Sequence, residues 1–401
     1  MKKIKALVHL LLVNTLYLAY LIIPKKNGRV LFAQTNDRYA SNSRYLFEYL
    51  VKNDVEALWL YTSKQQLNNI PTQYHLNAIK LRSLKGIYLG LSSKVFVVSH
   101  GYGDFNILFK ILNRGYVLNV WHAIMLKHTA LLDEGLSVNI KNKVVKKWSR
   151  YCDAFTTSSD IDRYLTSASH GIDSRKVHAF GNPKTDYYIN SIKLKNKTKN
   201  NTIKKILYAP TFRDYELKEN LFFPFPDFST ESLKEFFIKN SQLQVYLRPH
   251  PDDKKSIKQA EQLESEFPSN IVNFSQQTCD DIDEVLYQFD TVITDYSSIY
   301  IEPLLADTPC VFVPFDYDRY METRGLAYDY EMVTPGPKVK NFTEFLEAIE
   351  NALVGAQEWK VKRSLVTNIF FKYKDANACE RIATQVLGLD IPTTKLEETS
   401  L

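Results

Sequence analysis

The chain has 401 residues, more than the roughly 250–300 at which a single hydrophobic core stops growing, so we expect two domains. Hydrophobic residues make up 45% and charged residues 24%, a composition that supplies ample core and excludes extended disorder. The net charge of +6 is small and no basic stripe with interleaved aromatic residues occurs, which argues against nucleic-acid binding. The four cysteines lack any C-x-x-C spacing, so we expect a reducing compartment with neither disulfides nor a thiolate zinc site.

The first element is an apolar run from Ala6 to Ile23 with basic residues on both sides. Its 18 residues approach the roughly 20 that cross a bilayer, but His9, Asn14 and Thr15 interrupt it. No small-residue cleavage site follows, which argues against a signal peptide. A helix on an anionic membrane surface is the favoured interpretation, and a spanning helix and a core helix are the alternatives.

From residue 28 onward, short apolar strands alternate with helices, a pattern typical of parallel sheets covered on both faces. A polar stretch without apolar periodicity divides the pattern into two similar halves. The sequence thus predicts twin Rossmann-like domains with a ligand-binding cleft at the carboxyl ends of their strands. The predicted boundaries are a membrane-associated helix at 1–26, an N-terminal domain at 27–190, a linker at 191–204, a C-terminal domain at 205–375, and a helix and tail at 376–401.

In the second half, the strand TVIT ends at Asp295 and is followed by Ser297 and Ser298 at the expected start of a helix. A helix start has unpaired N–H groups and a partial positive charge, so it is a natural anion site to which two hydroxyls would add donors. The alternative is that the serines only cap the helix.

Other donors end neighbouring strands of this half. Arg248 and His250 end the strand in YLRPHPDD, and Thr211 and Arg213 end the strand in LYAPTFRD. Prolines on both sides of His250 restrict the backbone and fix the direction of its imidazole. Because carboxyl ends of parallel strands share one edge of a sheet, these side chains suit a phosphate or diphosphate.

In the first half, Trp121 and His122 follow a strand in VLNVWHAIMLK, and Lys127 comes five residues later. A histidine at this position could accept a proton from an attacking hydroxyl, since its pKa lies near neutrality. The alternative is a histidine that is satisfied within the core. His100, at the end of the strand in VVSHGYGD, is a weaker candidate for the same role.

Together these motifs resemble those of the CDP-glycerol glycerophosphotransferases, which prime and extend teichoic acids and related capsular polymers. The resemblance covers roughly residues 25 to 385 and includes, in order, WHAIMLK, FGNPKTD, LYAPTFRD, RPHP, VITDYSSIYIEPLLADTPCVFVPFD and RGLAYDYEMVTPGP. It departs from the family at two positions. Ala123 follows His122 where the family usually has glycine, which bears on the acceptor, and Ala376 replaces a glycine near the C-terminus.

The resemblance implies a GT-B-like fold and transfer of glycerol phosphate from CDP-glycerol to a hydroxyl of an undecaprenyl-linked or polymer acceptor, with release of CMP. It also implies a peripheral protein at the cytoplasmic face of the cell membrane and favours the surface-lying N-terminal helix. His122 would be the base on the acceptor and His250 would contact the donor phosphates. The expected donor-binding residues are Thr211, Arg213, Arg248, Asp295, Ser297, Ser298 and Arg324, and the expected acceptor-side residues are Trp121 and Lys127.

Three alternatives remain at this stage: a ribitolphosphotransferase that uses CDP-ribitol, a GT-B glycosyltransferase that uses a nucleotide sugar, and a non-enzymatic membrane scaffold of polymer assembly. We expect no cofactor and no metal ion. Of the three D-x-D spellings, only residues 316–318 lie in a loop after a strand, where such a motif could hold a divalent ion.

Overall fold

A computed structural model describes residues 2–35, 38–197, 203–217 and 220–391. The chain divides into two compact units, which we call unit 1 (residues 1–123, 138–186 and 375–401) and unit 2 (residues 124–137 and 187–374). Each unit contains one parallel sheet, as the alternating pattern predicted. Residues 124–137 belong to unit 2 and the C-terminal segment to unit 1, which the predicted boundaries of 27–190 and 205–375 did not include.

The sheet of unit 1 has seven parallel strands in the order β3-β2-β1-β4-β5-β6-β7. Chain order therefore reverses where β1 and β4 pair, and ligands of open α/β sheets bind at such a reversal. The strands are β1 (Lys26–Phe32), β2 (Ala57–Tyr61), β3 (Ala78–Lys80), β4 (Ser93–Val98), β5 (Tyr116–Asn119), β6 (Ala154–Thr156) and β7 (Val177–His178).

The sheet of unit 2 has five parallel strands in the order β10-β9-β8-β11-β12. Its reversal point lies where β8 and β11 pair, in the centre of the sheet. The strands are β8 (Lys204–Tyr208), β9 (Leu243–Leu247), β10 (Ile271–Asn273), β11 (Thr291–Thr294) and β12 (Cys310–Phe312).

Helices connect the strands of both units. The α-helices are α1 (Lys2–Ile22), α2 (Ser41–Lys52), α3 (Lys64–Asn69), α4 (Leu84–Leu91), α5 (Val138–Tyr151), α6 (Asp160–His170), α7 (Pro183–Lys197), α8 (Thr230–Lys239), α9 (Lys254–Glu266), α10 (Tyr317–Thr323), α11 (Tyr330–Val333), α12 (Phe342–Leu353), α13 (Lys360–Phe370) and α14 (Ala378–Arg381). Segments of 3₁₀ helix lie at Thr72–Asn77, Tyr102–Arg114 (kinked at Asn106), Ala130–Leu132, Ser174–Lys176, Ile282–Glu284, Leu286–Gln288, Ser298–Tyr300, Glu302–Ala306 and Gln357–Trp359, and a π turn at Ile382–Val386.

Helix α6 shows how closely local sequence determines some elements. The side chain of Ser159 accepts a hydrogen bond from the N–H of Asp162, and Gly171 ends the helix in the left-handed region. In contrast, the three residues of β3 include one buried side chain and show no alternation that the sequence alone could reveal.

The predicted linker at 191–204 differs from the structure. Helix α7 continues to Lys197 and β8 begins at Lys204, while residues 198–202 lie outside the described part of the chain. Ile192 packs against the core of unit 2, and the Lys195 ammonium donates to the carbonyl of Gln288 at 3.0 Å. These tertiary contacts hold the polar segment in a helix that its composition did not indicate.

The predicted C-terminal helix and tail at 376–401 is held on unit 1 as far as it is described, and residues 392–401 lie outside the described part. The carboxylate of Asp186 accepts hydrogen bonds from the N–H groups of Ala378 (2.9 Å) and Cys379 (2.7 Å) at the start of α14. Cys379 also joins the core of unit 1. Ala376, which replaces a glycine of the family motif, has φ 62, a region that glycine adopts at less cost.

Helix α1 has two different apolar faces. Val13, Leu16 and Tyr20 are buried on unit 1, and the Tyr20 hydroxyl donates to the carbonyl of Ser93 at 3.0 Å. The opposite face exposes large apolar side chains, so α1 is not a fully buried core helix. None of the helices in the described residues is both long and apolar enough to cross a membrane. The exposed apolar residues of α1 are Leu7, Val8, Leu10, Leu11, Leu12, Leu18, Leu21 and Ile22.

Candidate active site

A pocket with several cationic side chains opens at the carboxyl edge of the unit 2 sheet, where β8 and β11 pair. We call it the cationic pocket. Its volume of about 250 Å³ is below the roughly 300–1,000 Å³ usual for drug-sized ligands, so it suits a phosphate-bearing part of a ligand. Its lining residues are Lys127, Pro210, Thr211, Phe212, Asp214, Tyr215, His250, Ser297, Tyr320, Thr323 and Arg324.

Lys127 reaches the cationic pocket because its backbone is bound to the segment after α10. The N–H of His128 donates to the carbonyl of Gly325, and that of Ala327 donates to the carbonyl of Leu126. Gly325 has φ 71, and a Cβ there would lie 2.6 Å from the His128 ring. Glycine is therefore required for this pairing. Lys127 was predicted on the acceptor side; the structure places it in unit 2 with predicted donor-binding residues.

The ammonium of Lys127 is suited to an anionic ligand. It lies 3.5 Å from the Thr211 hydroxyl. Burial lowers its pKa to about 8; Asp295 opposes this shift, while Arg324 adds to it. A phosphate oxygen in the pocket would stabilise the charged form that burial disfavours.

His250 faces the cationic pocket with one ring nitrogen already occupied. The N–H of Asp252 donates to His250 Nδ1 at 3.3 Å, so the neutral ring carries its proton on Nε2. Its ring also stacks on Phe212, with centroids 5.0 Å apart. Burial lowers the pKa of His250, although Asp252 opposes this shift. The side chain is thus a fixed hydrogen-bond donor at neutral pH.

Arg213 and Asp295 form a buried network beside the cationic pocket and do not line it. The Arg213 guanidinium lies 2.8 Å from an Asp295 oxygen and 2.7 Å from one of Asp316, while Asp295 accepts a hydrogen bond from the N–H of Thr211. Both were predicted to bind the donor; in the structure their side chains hold the loop after β8 against the loops after β11 and β12. Asp316, the first residue of the candidate D-x-D motif, has its pKa lowered by Arg213 and Tyr215 against the effect of burial.

Arg248, also predicted to bind the donor, is not among the lining residues of the cationic pocket. Its guanidinium donates to the carbonyl oxygens of Phe274, Ser275 and Cys279, at distances of 3.2, 3.0 and 2.6 Å. These bonds fix the loop after β10. Arg324, by contrast, lines the pocket and makes a partly exposed ion pair with Asp214 at 3.3 Å.

The serine pair after β11 precedes a shorter helix than predicted. Ser297 lines the cationic pocket and caps a single 3₁₀ turn at Ser298–Tyr300, and a second turn follows at Glu302–Ala306. Pro303 has no N–H and its ring clashes with the carbonyl four residues earlier, which prevents a continuous α-helix. The pocket therefore lacks the dipole of a long helix, and its side chains must supply the contacts to an anion. Ser298 is half-buried and is not among the lining residues.

In unit 1, His122 is oriented as a proton acceptor at the carboxyl edge of the sheet. Its Nδ1 lies 3.3 Å from the carbonyl oxygen of Ser99, which can only accept, so Nδ1 carries the proton and Nε2 has the free lone pair. Burial, then the neighbouring His100, lowers the pKa of His122 to about 4. The ring is therefore neutral at pH 7.

His100 supports His122 from the adjacent loop. The two rings stack with centroids 4.3 Å apart. The buried carboxylate of Asp104 accepts hydrogen bonds from the N–H groups of Thr35, Ser99 and His100, which joins the loops after β1 and β4. Burial raises the pKa of Asp104, whereas these backbone donors oppose the shift.

Trp121, predicted on the acceptor side, is half-buried against other aromatic rings of unit 1. Its ring contacts Trp148, Phe155 and His170, with centroid distances of 6.0, 5.7 and 4.9 Å. Its φ of 50 is unusual for a bulky residue, and such strain is often found at functional sites. Ala123 does not share this positive φ, so the glycine usual in the family is not needed there for backbone conformation.

Several residues of this edge were missed from sequence. Asn42 and Asp104 are buried and connect segments that are far apart in the chain. Asp104 lies shortly after a strand end, which was its only signal in the sequence, whereas Asn42 lies in the first turn of α2. Within the described ranges, no group of three or more His, Cys, Asp or Glu side chains could hold a metal ion.

Comparison with known proteins identifies the family. The sequence model of the family described as CDP-Glycerol:Poly(glycerophosphate) glycerophosphotransferase matches residues 15–388. Teichoic acid glycerol-phosphate transferase of Staphylococcus aureus is 24% identical over 96% of this chain and 99% of its own length. Teichoic acid glycerol-phosphate primase of Bacillus subtilis is 28% identical over 76% of each chain. A second S. aureus relative, teichoic acid ribitol-phosphate polymerase TarL, is 24% identical, but this chain spans only 63% of it.

Solved structures show the same fold. The wall teichoic acid polymerase TagF superposes with a TM-score of 0.72 at 18% identity, over 96% of this chain and 95% of that chain. The fold is thus GT-B-like, as the motifs implied. With the family model matching nearly the whole sequence, the chain belongs to the CDP-glycerol:poly(glycerophosphate) glycerophosphotransferase family and is a glycerophosphotransferase.

Proposed function

We propose that this protein transfers glycerol phosphate from CDP-glycerol to a hydroxyl of a membrane-linked acceptor in teichoic acid synthesis and releases CMP. The cationic pocket at the strand reversal of unit 2 carries the proposal, because Lys127, His250, Ser297 and Arg324 present donors to one small cavity. Family membership and relatives named for glycerol phosphate transfer support the donor, as does a TagF structure obtained with CDPG.

In this reaction the acceptor oxygen attacks the phosphorus that bears glycerol. A new P–O bond forms, the P–O bond to the cytidylyl phosphate breaks, and CMP leaves with the electron pair. Lys127, Arg324 and the Nε2–H of His250 would stabilise charge on the phosphoryl oxygens, which is the main requirement of phosphoryl transfer. No step needs a cofactor.

The proton of the acceptor hydroxyl would pass to Nε2 of His122. Because His122 Nδ1 donates to the carbonyl of Ser99, Nε2 has a free lone pair, and the lowered pKa of His122 keeps Nε2 unprotonated at pH 7. General base catalysis by a positioned imidazole usually contributes roughly 10²–10⁴-fold.

The proposed activity is tested by mass analysis of products and by CMP release from a lipid-linked disaccharide acceptor. CDP-glycerol, CDP-ribitol and UDP-sugars would be offered separately, each with and without EDTA. We expect CMP and an acceptor heavier by one or more glycerol phosphates, with EDTA making no difference. Transfer of a sugar, or no transfer from any donor, would refute the proposal.

Ribitol phosphate transfer from CDP-ribitol is the second candidate. Relatives named as ribitol-phosphate polymerases are 23–24% identical to this chain, similar to the 24% of the S. aureus glycerol-phosphate transferase. In the assay above, faster turnover of CDP-ribitol than of CDP-glycerol would establish it.

A substitution at Lys127 tests whether the cationic pocket binds the donor. We expect Lys127→Gln to raise KM for CDP-glycerol roughly 10–100-fold, because a charge-assisted hydrogen bond to phosphate is lost. Steady-state kinetics at saturating acceptor would measure this change. Lys372→Gln, which removes the same charge from an exposed position of unit 2, is the control. An unchanged KM in Lys127→Gln would exclude this lysine from donor binding.

We further propose that α1 attaches the protein peripherally to the cytoplasmic face of the membrane, where nucleotide-activated donors are available. Leu7, Leu11, Leu18 and Ile22 lie along one side of α1, opposite the buried Leu16, and are 57%, 59%, 60% and 82% exposed. Such a stripe of apolar side chains is unusual on a soluble surface and suits the interface of a bilayer.

Membrane attachment through α1 predicts a specific loss. We expect Leu11→Glu to weaken binding to vesicles of anionic phospholipid roughly tenfold or more, since one apolar contact is replaced by a like charge. Sedimentation with vesicles would measure the bound fraction. Leu76→Glu, at a leucine that is 91% exposed but lies outside α1, should bind like wild type. Equal loss in both variants would contradict a role specific to α1.

A further inference from the structure

Two imidazole rings lie side by side at the carboxyl edge of the unit 1 sheet, and only one of them takes part in the proposed proton transfer. His100 follows β4 and His122 follows β5, and these two strands are neighbours in the sheet. The ring planes differ by 8° and the centroids are 4.3 Å apart. We call the two rings the imidazole pair. The side chain of His100 is 31% exposed and His122 is half-buried, so both have surface that a ligand can contact.

Hydrogen bonds within unit 1 fix the backbone that carries the imidazole pair. The buried carboxylate of Asp104 accepts from the N–H groups of Ser99 and His100, both at 2.9 Å. The N–H of Val120 donates to the carbonyl of Val98 at 2.9 Å, which continues the pairing of β4 and β5 towards the two histidines. The rings are therefore held in place before any ligand binds.

The hydroxyl of Ser99 determines which nitrogen of His100 carries the proton. Ser99 is fully buried, and its Oγ lies 2.8 Å from His100 Nδ1. This hydroxyl has no other partner among the described residues, so it donates to Nδ1, because the reverse arrangement would leave a buried O–H without an acceptor. Burial lowers the pKa of His100 to about 4, so the ring is neutral at pH 7 and its one proton is on Nε2.

His122 has the opposite arrangement of donor and acceptor. Its Nδ1–H donates to the carbonyl of Ser99, which leaves the lone pair on Nε2. Both Nδ1 atoms thus face Ser99, and because the rings are nearly parallel, both Nε2 atoms point away from that buried residue. The imidazole pair therefore presents a hydrogen-bond donor beside a hydrogen-bond acceptor.

We infer that the Nε2–H of His100 binds the oxygen on the carbon next to the hydroxyl that His122 deprotonates. The inference rests on the proposed function and deepens it, because it adds an acceptor-binding residue and a class of acceptor. The reacting hydroxyl donates to Nε2 of His122, and the neighbouring oxygen accepts from Nε2 of His100. An acceptor that satisfies both nitrogens is a vicinal diol, a group found in sugars and polyols. A monohydric alcohol satisfies only one of them.

The contact with His100 also orients the reacting hydroxyl. When the neighbouring oxygen is held, the reacting O–H is directed at the lone pair of His122, and such positioning lowers the barrier to the transfer. The proton moves to Nε2 of His122 and the oxygen attacks phosphorus. His100 keeps its own proton throughout, so it binds the acceptor and does not act as a second base.

Two probes that differ in one hydroxyl test the contact. The diol probe is glycerol octyl ether, which carries two adjacent hydroxyls. The monohydric probe has the same chain and terminal hydroxyl, with hydrogen in place of the middle hydroxyl. CMP release from CDP-glycerol gives kcat/KM for each, and where a probe is not a substrate, its inhibition constant against the lipid-linked disaccharide replaces that value. We expect wild type to prefer the diol probe roughly tenfold, the effect of one hydrogen bond.

Two substitutions of His100 separate hydrogen bonding from ring stacking. His100→Phe keeps a ring against His122 but has no N–H, so the preference for the diol probe should fall below about twofold. His100→Gln loses the ring but carries an amide N–H at similar reach, so it should retain at least about a third of the preference. KM for CDP-glycerol should stay within about threefold in both variants, which verifies that they are folded. His75→Phe, the same change at an exposed histidine of unit 1, should keep the wild-type preference.

The vicinal hydroxyls of the natural acceptor could belong to a sugar or to an open-chain polyol, and the lipid-linked disaccharide separates these sources. If His100→Phe lowers kcat/KM for the disaccharide as it does for the diol probe, the contact extends to a sugar. A loss confined to the diol probe assigns the contact to a polyol.

Three results would overturn this inference alone while wild type remains active: equal values for the two probes, a preference that survives His100→Phe, or a loss in His100→Phe that is the same for both probes. The last result would mean that His100 only positions His122. If wild type released no CMP from CDP-glycerol with the disaccharide or either probe, the proposed function would fail and the inference with it.

Discussion

His122→Ala is expected to reduce kcat by roughly 10²–10⁴-fold with saturating donor and acceptor. The reason is that Nε2 of His122, left free by the bond from Nδ1 to Ser99, is the proposed proton acceptor. CMP release would be measured alongside urea denaturation, so that loss of activity is compared at equal folded fraction.

The control for His122→Ala is His75→Ala, since His75 is exposed and lies on a 3₁₀ turn of the same unit. It should keep wild-type turnover. A His122→Ala enzyme with wild-type kcat would show that another group accepts the proton, and His100, stacked 4.3 Å away, would then be the next candidate.

The pH dependence of activity is a second test of His122 as the base. A base must be unprotonated, and the pKa of His122 is lowered to about 4, so activity should not fall between pH 7 and about 5. We expect kcat/KM for the acceptor, which reports the free enzyme, to fall as pH drops through about 4. An acid limb near pH 6.5 would mean that the imidazole is not buried as described.

Arg213→Met is expected to lower the free energy of unfolding by about 3–5 kcal/mol at pH 7. Arg213 is 5% exposed and its guanidinium pairs with both Asp295 and Asp316, so its loss leaves two carboxylates without their cation. Urea denaturation followed by circular dichroism would measure the change. The deficit should shrink as pH falls, because Arg213 helps to hold the pKa of Asp316 below its ordinary value and this stabilisation is lost as Asp316 becomes protonated.

The matched control is Arg319→Met, at an exposed arginine of α10 that lies over the ring of Tyr215 at 4.2 Å. It should change the free energy of unfolding by less than about 1 kcal/mol. If Arg213→Met unfolded like this control but raised KM for CDP-glycerol, Arg213 would be a ligand of the donor, as first predicted from sequence, and not a support of the pocket.

Sequence patterns predicted where residues lie along the strands, but not which groups their side chains contact. The motif LYAPTFRD placed Thr211 and Arg213 together at a strand end, and they are together. Only Thr211 lines the cationic pocket, because the arginine side chain turns to two carboxylates from distant loops. Pattern gives the position of a residue along a strand, but the partner of its side chain depends on loops far away in the chain.

Taken by itself, the sequence determined the α/β class, the division into two halves, the caps of α6 and the placement of His122, His250, Thr211 and Ser297 at strand ends. These features follow from local periodicity and from motifs in a recognisable order. Only the tertiary structure decided that Lys127 belongs to unit 2, that α7 continues through the predicted linker, and that Asn42 joins the loop after β5 to the start of α7. The physical reason is that these arrangements depend on hydrogen bonds and burial between segments far apart in the chain, such as those of Asn42 and Gly325, which no local pattern encodes.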